Sequence, residues 1–288
     1  MSKIVDKQPL NYLQVKQYLV NWLKEYAINS SKQGYVIGIS GGIDSAVCSS
    51  LCAYSGMPLI VVTMPIHQEQ AQLQLSLEHA TWLSSKFSNV TALTIDLTSL
   101  YEQHVKLLED AGCFKDVTPE EQFLITANIR SRLRMITLYA VAGAHNSLVC
   151  GTGNKIEDYG IGFFTKFGDG GVDVSPIGDL VKSEVYALGH ELGIIDGILQ
   201  ARPTDGLWND GRTDEDQIGA SYDELEWAMG YCEENKMELS DSFSCLQDLS
   251  KDLSMREVAV LKIYWSRHKA NQHKMQMPPI AYIREIID

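Results

Sequence analysis

The chain has 288 residues, 45% of them hydrophobic, and a formal net charge of −13 at pH 7. That is enough apolar material for one large domain or two small ones, while the acidic balance argues against a protein that binds long DNA or RNA. No apolar run in the sequence is long enough to cross a membrane, and no signal-type apolar core follows the first residues, so we expect a cytoplasmic protein without membrane contacts. The six cysteines form no Cys-x-x-Cys pair, which argues against zinc-ribbon, iron–sulfur and thioredoxin-type sites.

Strand and helix patterns alternate through the first half of the chain. Apolar residues at helical spacing predict an N-terminal helix over 10–28, which either packs on the edge of the core or contacts another subunit. The segments that follow predict strands over 35–40, 59–64, 90–96 and 147–151, with helices over 43–56, 68–86, 98–109 and 119–144. Such alternation predicts an α/β fold, a Rossmann-like parallel sheet with helices on both faces.

The second half of the chain has a different character. Residues 160–178 read as a glycine-rich loop, which is either functional or a floppy surface segment, and 202–217 read as a polar loop. Helical patterns over 222–235, 241–250 and 254–269 predict a helical C-terminal part, followed by a basic tail loop over 268–274. No clear linker divides the chain, so we expect a single domain over 1–288.

The most informative motif is Ser-Gly-Gly-Ile-Asp-Ser at Ser40–Ser45, between the first predicted strand and helix. Adjacent glycines let the backbone approach a phosphate, and a helix N-terminus offers free N–H groups and a positive dipole end. A Walker loop would need a lysine here, so this is a different phosphate loop, unless it is only a tight turn capped by Ser45. The hexapeptide resembles the loop of the ATP pyrophosphatase (PP-loop) superfamily, with its adenine nucleotide α-hydrolase-like fold, which splits ATP between the α and β phosphates.

A second motif, Gly-Thr-Gly-Asn-Lys-Ile-Glu-Asp, follows the last predicted strand. Ligands of parallel sheets bind beyond the carboxyl ends of the strands, so Thr152 is placed to meet an adenosine. Glu157 could share a Mg²⁺ ion with Asp44, because Mg²⁺ uses one or two carboxylates together with phosphate oxygens. The alternative is that Glu157 and Asp158 only complement the dipole of a helix start.

The third motif, Gly-Phe-Phe-Thr-Lys-Phe-Gly-Asp-Gly-Gly at Gly162–Gly171, combines aromatic rings with glycines. The rings could stack on a planar group, and the glycines could let the segment close over a substrate. Together with Ser40–Ser45, this segment closely resembles the family of ammonia-dependent NAD⁺ synthetases. The resemblance runs from the N-terminal helix to the His-Lys and Pro-Pro pairs of the tail, and so covers nearly the whole chain.

The resemblance implies an enzyme that consumes ATP with Mg²⁺ as cofactor. Asp44 and Glu157 would hold the metal, and Asp44, Lys166, Asp173 and Lys182 would have catalytic roles. The residues implied to bind ATP are Gly38, Ile39, Ser40, Gly41, Gly42, Ile43, Asp44, Ser45, Thr152, Lys182 and Thr204. Those implied to bind deamido-NAD⁺ are Asn128, Arg132, Phe163, Lys166, Asp173, His273 and Lys274.

The implied reaction is the ATP-dependent amidation of deamido-NAD⁺ to NAD⁺, with an acyl-adenylate intermediate and ammonia as the amine. The chain has no room for the glutaminase domain of glutamine-dependent members, and the family is homodimeric. Two features stand out against the family pattern: a second His-Lys pair at 268–269 competes with His273 and Lys274, and Thr63 stands where many members carry arginine. The competing interpretations are another PP-loop ligase, a tRNA-modifying thiolase, and a nucleotide sensor without catalysis.

Overall fold

The protein, described here by a computed structural model over residues 10–201, 214–237 and 253–283, is built on a parallel sheet. The strands are β1 (Tyr35–Gly38), β2 (Leu59–Thr63), β3 (Val90–Thr94) and β4 (Leu148–Val149). Their order across the sheet is β3-β2-β1-β4, and each neighbouring pair is parallel, with Tyr35 opposite both Leu59 and Leu148. This confirms the predicted α/β class.

Helices connect and cover these strands. They are α1 (Tyr12–Asn29), α2 (Ile43–Tyr54), α3 (Gln70–Lys86), α4 (Thr98–Asp110), α5 (Pro119–Ala144), α6 (Lys182–Leu192), α7 (Asp196–Leu199), α8 (Asp214–Ile218), α9 (Tyr222–Glu234) and α10 (Met255–Met275). A π-helix, Lys155–Ile161, follows β4. Helix α5 begins with a capping box, in which Thr118 and Glu121 satisfy each other's backbone N–H groups, and proline occupies its first turn.

The sheet has helices on both faces, because alternate residues of a strand point to opposite sides. Tyr35 and Ile37 of β1 pack into a core shared with α1, α2 and α6. Val36, between them, packs into a second core with Ala142 of α5. Helix α1 buries Leu19 in the first core, so the predicted packing on the core edge is confirmed.

A third core lies C-terminal to the sheet. Ile156 and Ile161 of the π-helix pack with Leu225 of α9 and with Leu261 and Tyr264 of α10. This core is the predicted helical C-terminal part, and it fixes the π-helix beside the end of β4. Across the described residues, no helix combines the length and apolarity that a membrane span requires.

Several sequence expectations need correction. Helix α6 was not predicted, although its start at Lys182 and its glycine end at Gly193 follow ordinary rules. The basic tail is not a loop, since α10 stays helical to Met275. The glycine-rich loop overlaps the end of the π-helix, and the polar loop overlaps α8. The predicted helix over 241–250 and most of the polar loop lie outside the described residues.

Candidate functional site

One cavity of about 690 Å³ opens at the carboxyl ends of β1, β2 and β4. Its walls come from the Ser40–Ser45 loop, one side of α5, the start of the π-helix, and the segment Gly162–Gly171, which we call the lid. A crevice at this edge is the usual ligand site of a parallel α/β sheet. The cavity therefore stands where the three motifs were expected to converge.

The phosphate loop is shaped by its glycines and by two serines. Gly41 has φ +92°, and a Cβ at this position would lie 2.5 Å from the backbone oxygen of Gln72, so only glycine fits. The hydroxyls of Ser40 and Ser45 lie 3.1 Å apart, and Ser45 donates to the Gly42 carbonyl at 3.0 Å. The N-cap residue of α2 is Gly42, which has no side chain to cap the first turn. The N–H groups of this turn can therefore bind an anion.

A buried ion-pair cluster adjoins the loop. The Lys182 ammonium donates to Asp44 Oδ2 at 2.5 Å and to Glu157 Oε1 at 2.9 Å. Burial alone would lower the pKa of Lys182, but the attraction of both carboxylates outweighs it and raises this pKa. The two predicted metal ligands, Asp44 and Glu157, therefore contact the same positive charge, which is the ammonium of Lys182.

Two residues that sequence analysis missed orient this cluster. Asn154 donates from Nδ2 to Asp44 Oδ1 at 3.1 Å, while its Oδ1 caps the π-helix. The Tyr222 hydroxyl donates to Glu157 Oε1 at 2.5 Å; burial, followed by repulsion from Glu157 and Asp214, raises the pKa of this phenol. Asn154 carried a signal, an Asx residue just before a helix start. Tyr222 carried none.

The lid is held shut by side chains from both sides. From α5, the Asn128 amide oxygen accepts from Thr165 Oγ1 at 2.5 Å, and Ser131 Oγ donates to Asp169 at 2.6 Å. From α10, Lys274 donates to the carbonyls of Gly162 at 2.6 Å and Phe164 at 2.8 Å. The lid is thus clamped between a sheet helix and the C-terminal helix.

Lys166 and the two His-Lys pairs can now be placed. The Lys166 ammonium donates to the carbonyl of His273, and Arg132 donates to the Lys166 carbonyl at 3.4 Å. His268 contacts the Gly160 carbonyl at 2.6 Å through Nδ1. The pair at 273–274 contacts the lid itself, whereas His268 contacts the π-helix before it.

The structure brings most of the predicted site residues to the cavity wall. Those lining it are Gly38, Ile39, Ser40, Gly41, Gly42, Ile43, Asp44, Ser45, Asn128, Thr152, Glu157, Phe163, Lys182 and Lys274. Arg132, Lys166, Asp173 and His273, all within the described residues, do not line it. Thr204 lies outside the described residues.

Asp173 is engaged in the fold. Its Oδ2 accepts from the Val149 N–H at 2.8 Å and its Oδ1 from the Tyr139 hydroxyl at 3.1 Å. Oδ2 thus holds Asp173 at the edge of β4, beside the parallel bridge between Cys150 and Val174, and Oδ1 connects it to α5. In this arrangement Asp173 anchors the end of the lid segment.

Asp158 is a further carboxylate in the cavity wall. Burial raises the pKa of Asp158, and repulsion from Asp169 and Glu157 raises it further.

Comparisons with known proteins agree with this site. The NAD synthase family model matches residues 15–278. An NH3-dependent NAD⁺ synthetase from Sulfolobus acidocaldarius is 36% identical over 278 residues, covering 95% of this chain and 90% of its own. An NMN synthetase structure from Francisella tularensis has a TM-score of 0.75 at 33% identity and covers 95% of this chain and 100% of its own.

A third relative points the same way. The NH3-dependent NAD synthetase structure from Campylobacter jejuni, in complex with a nitrate ion, has a TM-score of 0.70 at 27% identity, covering 94% of this chain and 100% of its own. This chain thus matches both solved structures over their full length. On the family match and these likenesses, the chain belongs to the NAD synthase family.

Proposed function

We propose that the protein is an ammonia-dependent NAD⁺ synthetase, a ligase that amidates deamido-NAD⁺ at the expense of ATP. The observation that carries this proposal is the joining of a PP-loop, a buried Asp44–Lys182–Glu157 cluster and a closed lid around one cavity. The first two suit a polyphosphate, and the lid suits a reactive intermediate that must be kept from water.

The first step is adenylation of the carboxylate. A nicotinate carboxylate oxygen attacks the α phosphorus of ATP, the bond to the β-phosphate oxygen breaks, and pyrophosphate leaves. No protein nucleophile is needed. The N–H groups of Ser40–Ser45 and the ammonium of Lys182, which lie at the same end of the cavity, stabilise the phosphate charge.

Mg²⁺ fits the donor set beside Lys182. Asp44 and Glu157 present carboxylate oxygens to one point, as suits an ion that completes its shell with phosphate oxygens. When bound, Mg²⁺ would neutralise phosphate charge.

The second step is aminolysis. Ammonia attacks the acyl carbon, the bond to the AMP oxygen breaks, and one proton is released to give the amide of NAD⁺. The lid shields the acyl-adenylate, and Phe163 in the cavity wall offers a ring face to the nicotinate. The roles of Thr152, Thr204, Asn128, Arg132, Lys166, Asp173 and His273 in holding the two nucleotides belong to the same proposal.

A second substrate is favoured by one relative. The Francisella tularensis structure is an NMN synthetase, and amidation of nicotinate mononucleotide would use the same adenylation chemistry. The phosphate loop and the lid serve both acids, because the reacting carboxylate is identical. The choice between mononucleotide and dinucleotide therefore depends on the walls beyond the nicotinate.

We also propose that the protein is a homodimer in the cytoplasm. Helix α5 exposes apolar side chains that do not line the cavity, among them Ile125, at 38%, and Ile136, at 58% exposure. Exposed apolar patches of this kind often mark subunit contacts. Light scattering of the purified protein tests this: a mass of about 32 kDa, that of one chain, would exclude a dimer.

The activity test uses the purified protein with ATP and Mg²⁺. Each acid, deamido-NAD⁺ or nicotinate mononucleotide, is supplied with ammonium or with glutamine, and AMP, pyrophosphate and amide are measured. We expect AMP and amide in equal amounts with ammonium and none with glutamine. Formation of ADP, or ATP cleavage that does not depend on either acid, would contradict the proposal.

A further inference from the structure

Arg134 is a cavity residue to which neither the motifs nor the proposed mechanism gives a role. It lies on α5 with its side chain in the cavity wall, and its Nε donates to the Met64 carbonyl at 3.0 Å, just beyond β2. A residue of α5 therefore places a guanidinium at the carboxyl end of β2.

The charge of Arg134 is not compensated within the described part of the chain. Its Nη groups have no hydrogen-bond partner there, and no carboxylate forms an ion pair with it. Asp169 attracts it from a greater distance but accepts hydrogen bonds from Ser131 and Thr165 instead. Arg134 is half-buried, and a guanidinium that is partly removed from water without partners for its N–H groups is costly, so such charges are normally paired.

The surroundings increase this cost. Met64, Met135 and Leu138 contribute apolar surface to the same part of the cavity. Burial, and then repulsion by Arg130, lower the pKa of Arg134 to about 10, which still leaves it charged at neutral pH. A cation in an apolar wall, beside a phosphate loop on the neighbouring strand, is suited to an anionic ligand.

We propose that Arg134 forms an anion subsite at the end of β2, where its Nη groups bind a phosphate oxygen of a nucleotide substrate. The inference rests on the proposed function only for the identity of that nucleotide. Both ATP and the acid dinucleotide carry phosphates, and the guanidinium fork matches either. The bond from Nε to Met64 fixes the plane of the fork.

The test is calorimetric titration of ATP, adenosine and deamido-NAD⁺ into the wild type, Arg134→Met and Arg256→Met. Arg256 is the matched control, because its guanidinium pairs with Glu224 at 2.6 Å outside the cavity. We expect Arg134→Met to weaken ATP or deamido-NAD⁺ binding about tenfold to a hundredfold, with adenosine unchanged. Loss for ATP alone identifies ATP as the ligand, and loss for the dinucleotide alone identifies that substrate.

Two outcomes would overturn the subsite: unchanged binding of both nucleotides, or an equal loss for adenosine, which would place the base rather than a phosphate on Arg134. If Arg134→Met does not fold, the same titrations are made with Arg134→Lys, which keeps the positive charge but lacks the planar guanidinium. A severalfold loss of nucleotide affinity in this variant supports the subsite, and wild-type affinity rejects it. Failure of the proposed function would look different, since the wild type itself would then make no amide.

Discussion

The two ends of the cavity are held in place by different kinds of contact. At the phosphate end, the shape comes from backbone: β1 runs into a glycine turn and α2, and buried residues such as Ile39 and Val47 pack beneath them. At the lid end, the shape comes from a few side chains of α5 and α10 that reach backbone carbonyls and a lid carboxylate. The comparison teaches that the phosphate site is shaped by backbone and core packing, whereas the lid is held by contacts that can be broken singly.

This difference matches the two steps of the chemistry. Adenylation needs fixed donors around the phosphates from the start. Aminolysis needs substrates to enter, and then a shielded intermediate, which a releasable lid provides. Changes at the phosphate end should therefore abolish turnover, and changes at the lid should alter substrate affinity and the loss of intermediate to water.

The largest effect is expected from Asp44→Asn. The substitution keeps the size of the side chain but removes one carboxylate from the point where Lys182 and Glu157 meet. We expect the initial rate of amide formation to fall on the order of a thousandfold, as when a preorganised charge group is removed. Asp110→Asn is the control, because Asp110 pairs only with Lys106 on the surface of α4. A residual rate above a tenth of the wild type would show that the cluster is structural.

The next effect is expected from Gly162→Ala. Gly162 has φ +64°, and a Cβ there would lie 2.3 Å from Cβ of Asn271 on α10, so the clamp must open. We expect kcat/KM to fall about a hundredfold through misplacement of the lid. Gly193→Ala is the matched control, since Gly193 has φ +71° but nothing within 4 Å.

The control separates strain from contact. Gly193→Ala should cost about 1 kcal/mol of unfolding free energy, the usual cost of a left-handed alanine, and should leave kcat/KM unchanged. If both variants lose the same fraction of kcat/KM, the strain of alanine at positive φ explains the loss and the contact with α10 does not. That result would contradict the claim that contacts with α10 position the lid.

A smaller effect is expected from Lys274→Met. The substitution removes two hydrogen bonds to lid carbonyls, and KM for the acid substrate should rise about tenfold with little change in the KM for ATP. Lys269→Met, on the same helix, is the control and tests the competing His-Lys pair. A larger rise for Lys269→Met would assign lid closure to the pair at 268–269.

The smallest effect, on stability alone, is expected from His79→Gln. Burial lowers the pKa of His79 to about 4, from 6.5. Below pH 6.5 this histidine therefore binds a proton in the unfolded chain but not in the folded protein, so the free energy of unfolding decreases as the pH falls toward 4. Between about pH 7.5 and about pH 5 this histidine should account for about 2 kcal/mol of lost unfolding free energy.

Denaturant titrations at both pH values check this. His79→Gln should lose less stability on acidification than the wild type, while exposed His190→Gln should behave as the wild type does. His79 hydrogen-bonds Ser49 of α2 at 3.0 Å, so this buried contact supports the helix that follows the phosphate loop. Equal loss of stability on acidification in all three proteins would contradict that role for His79.

Local signals carried the prediction of the phosphate end. A strand, a glycine turn and a helix start are encoded within a dozen residues, and Asp44 lies in that stretch, so the α/β class and the loop could be predicted. The pairing of Asp44 with Glu157 rested on the ligand preference of Mg²⁺ at neighbouring strand ends and on the resemblance, because no periodicity links positions so far apart in sequence. Helix α6 was missed because Lys182 was considered only as a ligand and not as the first residue of a helix.

The lid end was harder to predict for a physical reason. Its residues act through tertiary contacts, such as Lys274 with the Gly162 carbonyl and Ser131 with Asp169, that leave no pattern in the sequence. Tyr222 contacts the ion-pair cluster and Arg134 lies in the cavity wall, and the helices that carry them have a residue spacing that indicates only burial. The tail was predicted as a loop because its basic residues obscured the helical continuation to Met275.

The most direct test of the central claim follows an oxygen atom through the reaction. Deamido-NAD⁺ carrying heavy oxygen in its nicotinate carboxylate is converted with ATP, Mg²⁺ and ammonium, and the AMP is analysed by mass spectrometry. If the carboxylate attacks the α phosphorus at the phosphate end of the cavity, each AMP carries one labelled oxygen, and the other remains in the amide of NAD⁺. Unlabelled AMP, or label found in pyrophosphate, would contradict adenylation and with it the assignment of the two ends of the cavity.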